Sequence, residues 1–368
     1  MNSLYVLGNG FDLYMEMETR YRNFFENKGY DSVREDFEKN LKKLIREYAE
    51  YFMPVSLKIK KLNDLYDKEI KKINNLFLLY LIISDNKLID WKDVEKQIKP
   101  YIEYITAIPK YPKITEEFFD TFMMKDEAEL KRVLLKKYIE EKNLNFGENT
   151  EKNMMLEELN KFEKEFGQYI KNLDNPLEVD HICIIKEKIE NVFNNSINDL
   201  KESGINVITF NYTDYLKDYF KVFVNIHGTT ENPIFGIDSK EAEENYQYIY
   251  FTKTSRVLEA NIEKKEIVSP LPDIAYTGEI VFFGHSLAEA DYSYFQSIFD
   301  YYDIYNNTIN LKFLYHNYSV DCKEKEKMHA SVMKLINTYG KSLDNKDKGS
   351  NLLHKLLLES RIKIVEIK

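Results

Sequence analysis

The sequence predicts an α/β fold: an open, largely parallel sheet with helices on both faces, plus a large all-helical insertion. From Gly204 onward, short β-branched and aromatic runs alternate with helical stretches. Strands that are apolar on both faces are typical of parallel sheets covered on both sides. The first apolar run, LYVL (4–7), has the same character and is expected to join this sheet.

A glycine-poor block separates the first strand from the others. Its apolar residues recur at spacings of three and four, which indicates helices. We therefore predict an α/β domain formed by residues 1–30 and 204–368, and a helical insertion domain at 31–203. Further strands are predicted at 205–210, 222–226, 246–251, 279–284 and 309–315. Helices in the α/β domain are predicted near 213–220, 253–264, 289–305 and 323–339.

Composition narrows the functional class. The chain of 368 residues has a net charge of −10, and its Lys and Arg residues are scattered rather than collected in a basic stripe, so nucleic acid is not an expected partner. No apolar run reaches the length of a membrane span, and no signal peptide is apparent, so a cytoplasmic location is expected. Cys183 and Cys322 are too few for a disulfide framework or a four-thiolate zinc site, and we expect both to be buried.

Candidate site residues follow four of the predicted strands. The segments are GNGFD (8–12), NYTD (211–214), HG (227–228) and, after Gly284, HSLAEAD (285–291). Ligands of open α/β sheets bind beyond the carboxyl ends of the strands. The sequence therefore predicts one crevice shared by these four turns.

The first turn is expected to approach a phosphate. Gly8 and Gly10 permit a tight turn, and the helix that follows would supply amide donors. The turn lacks the third glycine of the dinucleotide fingerprint, and no acid-bearing strand follows about 20 residues later. A hydride-transferring Rossmann enzyme is therefore disfavoured.

Several motifs together resemble the AbiH family of bacterial abortive-infection proteins. The resemblance spans about residues 4–315. The motifs are GNGFDL (8–13), Thr19-x-Tyr21-x-x-Phe24, WKDVE (91–95), FNYT (210–213), IHG (226–228) and FGHSLAEADYSYF (283–295). In the same order they are similar to the Rossmann-like, sirtuin-like NAD-binding fold.

The chain departs from both patterns at three places. The His-Gly-Leu-Pro-Thr that often follows GNGFDL in the family is absent. The zinc-ribbon cysteines of sirtuins are also absent, which argues against a protein deacylase, and no metal is expected. Asp214 follows Asn211 by three residues rather than two.

The resemblance implies an antiphage effector that hydrolyses NAD to nicotinamide and ADP-ribose. Asn211 would position the ribose and the attacking water, His227 would act as general base, and Asp12 would stabilise the cation or bind the substrate. The other residues expected to bind NAD are Gly8, Asn9, Gly10, Phe11, Thr209, Thr213, Asp214, Gly228, Gly284, His285 and Ser286.

Each residue also has a structural alternative. Asp12 could cap a helix, Asn211 could form a turn, and His227 could bond to backbone.

Two other functions stay open. The first is a module that senses NAD or ADP-ribose without turnover and signals to a partner. The second is a nuclease whose metal is held by Asp12, Asp214 and Asp291. A phage-derived trigger, a partner protein and a homo-oligomer are further expectations, and the helical block could serve any of them. Trp91 and Glu95, four residues apart on one helix face, could simply be a core residue and a surface charge.

Overall fold

The computed structural model describes residues 1–50, 53–84, 94–108, 127–144, 151–173, 175–177, 182–242, 246–262, 269–287, 291–317 and 323–367. The chain divides into two compact units. The sheet unit comprises Met1–Thr19, Gly167–Ile234 and Lys253–Lys368, and the helical unit comprises Arg20–Phe166 and Phe235–Thr252. These bounds differ from those of the predicted domains, because 20–30 and 235–252 lie in the helical unit and 167–203 lies in the sheet unit.

The described part of the sheet unit contains a six-stranded parallel sheet. Its strand order is β3-β2-β1-β4-β5-β6, so β1 is central and the order reverses between β1 and β4. Leu7 at the end of β1 lies opposite Thr209 of β2 and Phe283 of β4. The strands are β1 (Asn2–Leu7), β2 (Ile205–Thr209), β3 (Val222–Asn225), β4 (Thr277–Phe283), β5 (Asn310–Tyr315) and β6 (Ile362–Glu366).

Helices occupy most of the remaining described chain. Those of the helical unit are α2 (Tyr21–Lys28), α3 (Tyr30–Glu50), α4 (Val55–Leu65), α5 (Leu76–Ile83), α6 (Ile98–Ala107), α7 (Glu127–Glu141) and most of α8 (Glu151–Lys171). Those of the sheet unit are α1 (Asn9–Tyr14), α9 (Ile182–Phe193), α10 (Lys253–Asn261), α11 (Tyr292–Tyr301), α12 (Lys323–Ser342), α13 (Lys346–Ser350) and α14 (Leu352–Leu358).

Both faces of the sheet are buried, as the apolar strands require. Side chains of a strand alternate between the two faces. Leu4 and Val6 point into a core shared with α11, α12 and α14, which we call the first face. Tyr5 and Leu7 point into a core shared with α1 and α9, which we call the second face.

The aromatic residues of one sequence motif pack in the core of the helical unit. Tyr21 and Phe24 of the Thr19-x-Tyr21-x-x-Phe24 motif lie on α2 and are fully buried. The ring centroid of Phe166 lies 4.5 Å from that of Tyr21 and 5.3 Å from that of Phe24. Phe235 packs against the same group. The motif therefore builds an aromatic core.

Five predicted strands are confirmed, but residues 246–251 were wrongly predicted as a strand. Tyr246–Phe251 is a 3₁₀ helix. Tyr248 and Phe251 are buried, and a spacing of three suits a 3₁₀ helix rather than a strand. β6 was not predicted.

The predicted helix at 213–220 is also wrong, since only Lys217–Tyr219 forms one 3₁₀ turn. The carbonyl of Thr213 accepts a hydrogen bond from the Asn225 side chain at 2.9 Å, which holds this segment in another conformation.

Three smaller expectations concern the cysteines, Trp91 and membrane-spanning helices. Cys183 is exposed rather than buried, because the buried side of α9 is formed by Ile185, Ile189 and Val192. Cys322 and Trp91 lie outside the described residues. Among the helices that the structure describes, none combines the length and the apolar character needed to cross a membrane.

Candidate functional site

The candidate site lies at the carboxyl edge of the sheet, where β1, β2, β3 and β4 end. The structure brings the predicted residues to this edge but divides them between its two faces. Asp12, Asn211 and Thr213 line a cavity together with Leu7 and Phe11, which belong to the core of the second face. His227 and His285 instead contact the ring of Phe210, which belongs to the first face. The predicted crevice therefore consists of two clusters.

Three glycines join the end of β1 to the end of β4. A Cβ on Gly8 would lie 2.5 Å from the His285 Cα, and one on Gly10 would lie 2.7 Å from the Gly284 Cα. Gly284 has a φ of +72°, and its own Cβ would lie 2.2 Å from the Phe11 nitrogen. Protein backbone thus fills the space beside these glycines, which explains them without a ligand.

The amides of this turn are already engaged. The Gly8 N–H donates to the Phe283 carbonyl at 3.0 Å, and the Gly10 N–H donates to the Gly284 carbonyl at 2.8 Å. The Phe11 N–H donates to the Gly8 carbonyl. The expectation that this turn offers its amides to a phosphate is therefore wrong for these three groups.

Asp12 is the centre of the first cluster. It lies in the first turn of α1, whose N-cap is Gly8, so Asp12 is not the helix cap. The Thr213 hydroxyl lies 3.0 and 2.9 Å from its two carboxylate oxygens. The Asn211 side-chain amide donates to the Gly8 carbonyl at 3.1 Å, which fixes the orientation of this amide. Its oxygen, Oδ1, is buried and has no partner within the described chain.

Burial controls the charge of Asp12. Its side chain is 1% exposed. Burial raises the pKa of Asp12 to about 7, against the hydrogen bond from Thr213 and the nearby polar side chains of Asn211 and Tyr215, which lower it. Burial and the nearby Asp12 carboxylate raise the pKa of the Tyr215 hydroxyl. Asp12 can therefore exchange a proton near neutral pH.

The cavity beside Asp12 is small. Its volume of about 10 Å³ suits a water molecule and is far below that of a nucleotide pocket. The remaining lining residues are Thr209, Tyr215, Leu216 and Phe223.

Backbone contacts hold the segment after β2 in place. The Asn211 N–H donates to the Thr209 hydroxyl at 3.1 Å. The Asn225 side chain, at the end of β3, donates to the carbonyls of Asn211 and Thr213 at 2.9 Å each. Asn211 is thus fixed from two neighbouring strands.

The second cluster contains His227 and His285. His227 follows β3, where Gly228 takes a φ of +81° and the Ile234 N–H donates to the His227 carbonyl at 2.8 Å. The ring of Phe210 lies 5.2 Å from that of His227 and 4.6 Å from that of His285. The Nε2 atom of His227 is buried and has no hydrogen-bond partner in the described chain.

An ion pair completes this cluster. The Lys253 ammonium lies 2.8 Å from Asp291 Oδ1, and the His285 Nε2 lies 3.3 Å from Asp291 Oδ2. The His227 Nε2 lies 3.7 Å from Asp291 Oδ1. Lys253 begins α10 and Asp291 is the N-cap of α11, so distant segments meet here.

The charges of the second cluster follow from burial and from this ion pair. Burial, assisted by the Lys253 ammonium, lowers the pKa of His227 to about 3, so His227 is neutral at physiological pH. Burial alone would raise the pKa of Asp291, but Lys253 and the hydrogen bond from His285 hold it well below its usual range.

The other predicted site residues differ in exposure and in hydrogen bonding. Asp214 and Ser286 are exposed and lie outside both clusters. The Asn9 side chain accepts a hydrogen bond from Thr19 at 2.6 Å. Both ring nitrogens of His285 are engaged, because Nδ1 accepts from the Leu287 N–H at 2.9 Å and Nε2 faces Asp291.

Sequence reasoning missed two contributors. Lys253 carries no motif, and its burial gave no signal in the sequence. Asp291 ends the predicted crevice segment 285–291 but was given no role there except as a metal ligand, although His285 in the same segment could have suggested an ion pair.

The carboxylates do not form a metal centre within the described residues. There, no group of three or more His, Cys, Asp or Glu side chains is arranged to hold a metal ion. Asp12 and Asp291 lie in different clusters, and Asp214 is exposed.

The comparison with protein families identifies the chain. A family model described as "Bacteriophage abortive infection AbiH" matches residues 4–315. No curated protein and no solved structure matches the chain. Since the family model covers most of its 368 residues, the chain belongs to the AbiH family of bacteriophage abortive infection proteins.

Proposed function

We propose that this protein is an abortive-infection effector that hydrolyses NAD to nicotinamide and ADP-ribose at the carboxyl edge of its sheet. The observation that carries the proposal is a buried polar atom just beyond the end of β2. Asn211 Oδ1 has no hydrogen-bond partner in the described chain. Such atoms are rare in folded proteins and call for a partner, which here would be water or substrate.

The strand order supports the choice of ligand. The order 3-2-1-4-5-6 is that of Rossmann-like dinucleotide-binding sheets, which hold their ligand where the order reverses. In this chain the reversal lies between β1 and β4, beside Gly8 and Gly284. NAD would lie across this edge, with Asn211 on one side and His227 on the other.

The chemistry needs few groups. Cleavage of the bond to nicotinamide passes through an oxocarbenium-like ribose, and the leaving group departs neutral. Asn211 would orient the ribose and the water, and neutral His227 would accept a hydrogen bond from a hydroxyl. With its pKa of about 7, Asp12 suits the role of general base better than His227, whose pKa is about 3.

Binding requires this edge to open. Asp12, Asn211 and His227 are each no more than 3% exposed. The proposal therefore includes an opening step before NAD reaches these side chains. A phage-derived trigger, a partner protein and self-association remain predictions for how that step is controlled.

The first test is chromatographic. The purified protein is incubated with NAD, and nicotinamide and ADP-ribose are quantified, with NAD binding measured by calorimetry. Asn211→Ala and His227→Ala are expected to lose product formation while their thermal unfolding stays cooperative. His329→Ala removes an exposed histidine of α12 and should behave as wild type.

The outcomes separate the alternatives. Product formation by wild type and by His329→Ala, but by neither site variant, supports the hydrolase. Binding without product, in purified protein and in infected cells that produce it, favours the nucleotide-sensing module. If there is neither binding nor product, and infected cells keep their NAD, the proposal is wrong.

A further inference from the structure

We propose that Asp291, anchored by Lys253 and His285, is a positioning residue that orients the His227 ring at the edge of the sheet. The catalytic meaning of this arrangement rests on the proposed function. The arrangement itself can be tested without NAD.

The contacts of His285 fix the position of its proton. Its Nδ1 accepts a hydrogen bond from the Leu287 N–H at 2.9 Å. The neutral ring must then carry its proton on Nε2, which lies 3.3 Å from Asp291 Oδ2. His285 therefore donates to Asp291 and occupies one carboxylate oxygen.

The other carboxylate oxygen of Asp291 faces Lys253 and His227. Oδ1 of Asp291 lies 2.8 Å from the Lys253 ammonium and 3.7 Å from His227 Nε2. The latter distance is too long for a hydrogen bond. Because the His227 Nε2 has no other partner in the described chain, a small rotation of the ring would let it donate to Oδ1.

Asp291 also favours one tautomer of His227. A carboxylate facing Nε2 favours the neutral form of His227 with its proton on that atom. The lone pair is then on Nδ1. Asp291 would thus direct Nδ1 of His227 towards a hydroxyl of the substrate.

Lys253 balances the charge. It is 3% exposed, and an unpaired ammonium at such a position would be costly. Within the part of the chain that the structure describes, His227 faces the titratable groups of Lys253, Asp291, His285 and Tyr294, whose ring lies 5.5 Å away. With Lys253 present, the negative charge of Asp291 is compensated, so His227 stays neutral.

The test is an NMR titration of His227 in full-length protein without NAD, using labelled histidine. In Lys253→Met, the uncompensated Asp291 should raise the His227 midpoint by about 1–3 pH units relative to wild type. Lys253→Arg keeps the charge and should restore the wild-type midpoint. In the double variant Lys253→Met, Asp291→Asn, the midpoint should fall back towards that of wild type. Lys217→Met, an exposed lysine, is the control.

Nitrogen chemical shifts supply a second readout in case Lys253→Met does not fold. They distinguish the two neutral tautomers of His227. Wild type should hold the proton on Nε2, and Asp291→Asn should reduce that population. An unchanged tautomer in Asp291→Asn, or an unchanged midpoint in folded Lys253→Met, would overturn the proposal.

Activity measurements separate this inference from the proposed function. If wild type hydrolyses NAD, Asp291→Asn should lower kcat while NAD binding stays unchanged. If wild type does not hydrolyse NAD, the proposed function fails, while the NMR result still decides whether Asp291 positions His227.

Discussion

Replacing Asp12 by Asn should remove a large pH dependence of stability. The pKa of Asp12 rises from 3.8 to about 7 in the folded protein because the side chain is buried. Between about pH 4 and pH 7 the native state therefore holds a proton that the unfolded state has lost. The free energy of unfolding must fall as pH rises through this window, because the unfolded state binds fewer protons.

The size of the effect follows from the shift. One pKa unit corresponds to about 1.4 kcal/mol, so a shift of about 3 units corresponds to about 4 kcal/mol. Asn has nearly the same shape as a protonated Asp, can accept from Thr213, and does not titrate. Relative to wild type, Asp12→Asn should gain about 4 kcal/mol between pH 4 and pH 8.

Urea unfolding of both proteins over this pH range measures the difference. Other titrating groups, including His227 and Asp291, are common to both proteins and cancel. Asp218→Asn, at an exposed position of the same unit, should show no such trend. A difference between Asp12→Asn and wild type that is constant with pH would refute the argument that burial controls this carboxyl group.

Two further predictions concern contacts of the same edge. Thr213→Val removes the hydroxyl that bonds to Asp12. It should lower the free energy of unfolding by about 1.5–3 kcal/mol at pH 8, where the carboxylate is charged, and by less at pH 5. Equal losses at the two pH values, measured by urea unfolding, would contradict this. Gly284→Ala should cost about 1–2 kcal/mol for its left-handed backbone and about 1–3 kcal/mol more for the clash with Phe11. Gly29→Ala is the matched control, because φ there is +70° and no atom lies within 4 Å of the new Cβ. Only the backbone cost should appear in this variant. Equal losses of unfolding free energy in the two variants would contradict the clash.

The sequence was informative about the sheet because its strands are apolar on both faces. That pattern identified β1 to β5 and therefore the edge of the sheet at which Asp12, Asn211 and His227 lie. β6 was not predicted, because IKIVE is short and carries the charged residues Lys363 and Glu366, which an edge strand tolerates. The segment Tyr246–Phe251 was wrongly predicted because an aromatic run suits both a strand and a 3₁₀ helix. Only the spacing of its buried residues distinguishes the two conformations.

The site was harder to predict than the edge that carries it. A glycine pattern cannot say whether ligand or protein fills the adjacent space, and here the backbone of Gly284 fills it. The division between two faces depends on the alternation of side chains at Phe210 and Asn211, which becomes meaningful only once the register is known. Lys253 lies in the site only because of tertiary packing, so no pattern in the neighbouring sequence identifies it.

The central place of β1 has a consequence for synthesis. Its neighbours, β2 and β4, begin about 200 and 270 residues later in the chain. At about 5–20 residues per second, the ribosome needs roughly 10–40 s before β2 can pair with β1. Until then LYVL is an apolar strand without a partner, and Asp12 has not met Thr213, 201 positions away. A chain that ends before Thr213 therefore cannot assemble the Asp12 cluster, and the activity proposed here cannot arise before His227 has been synthesised.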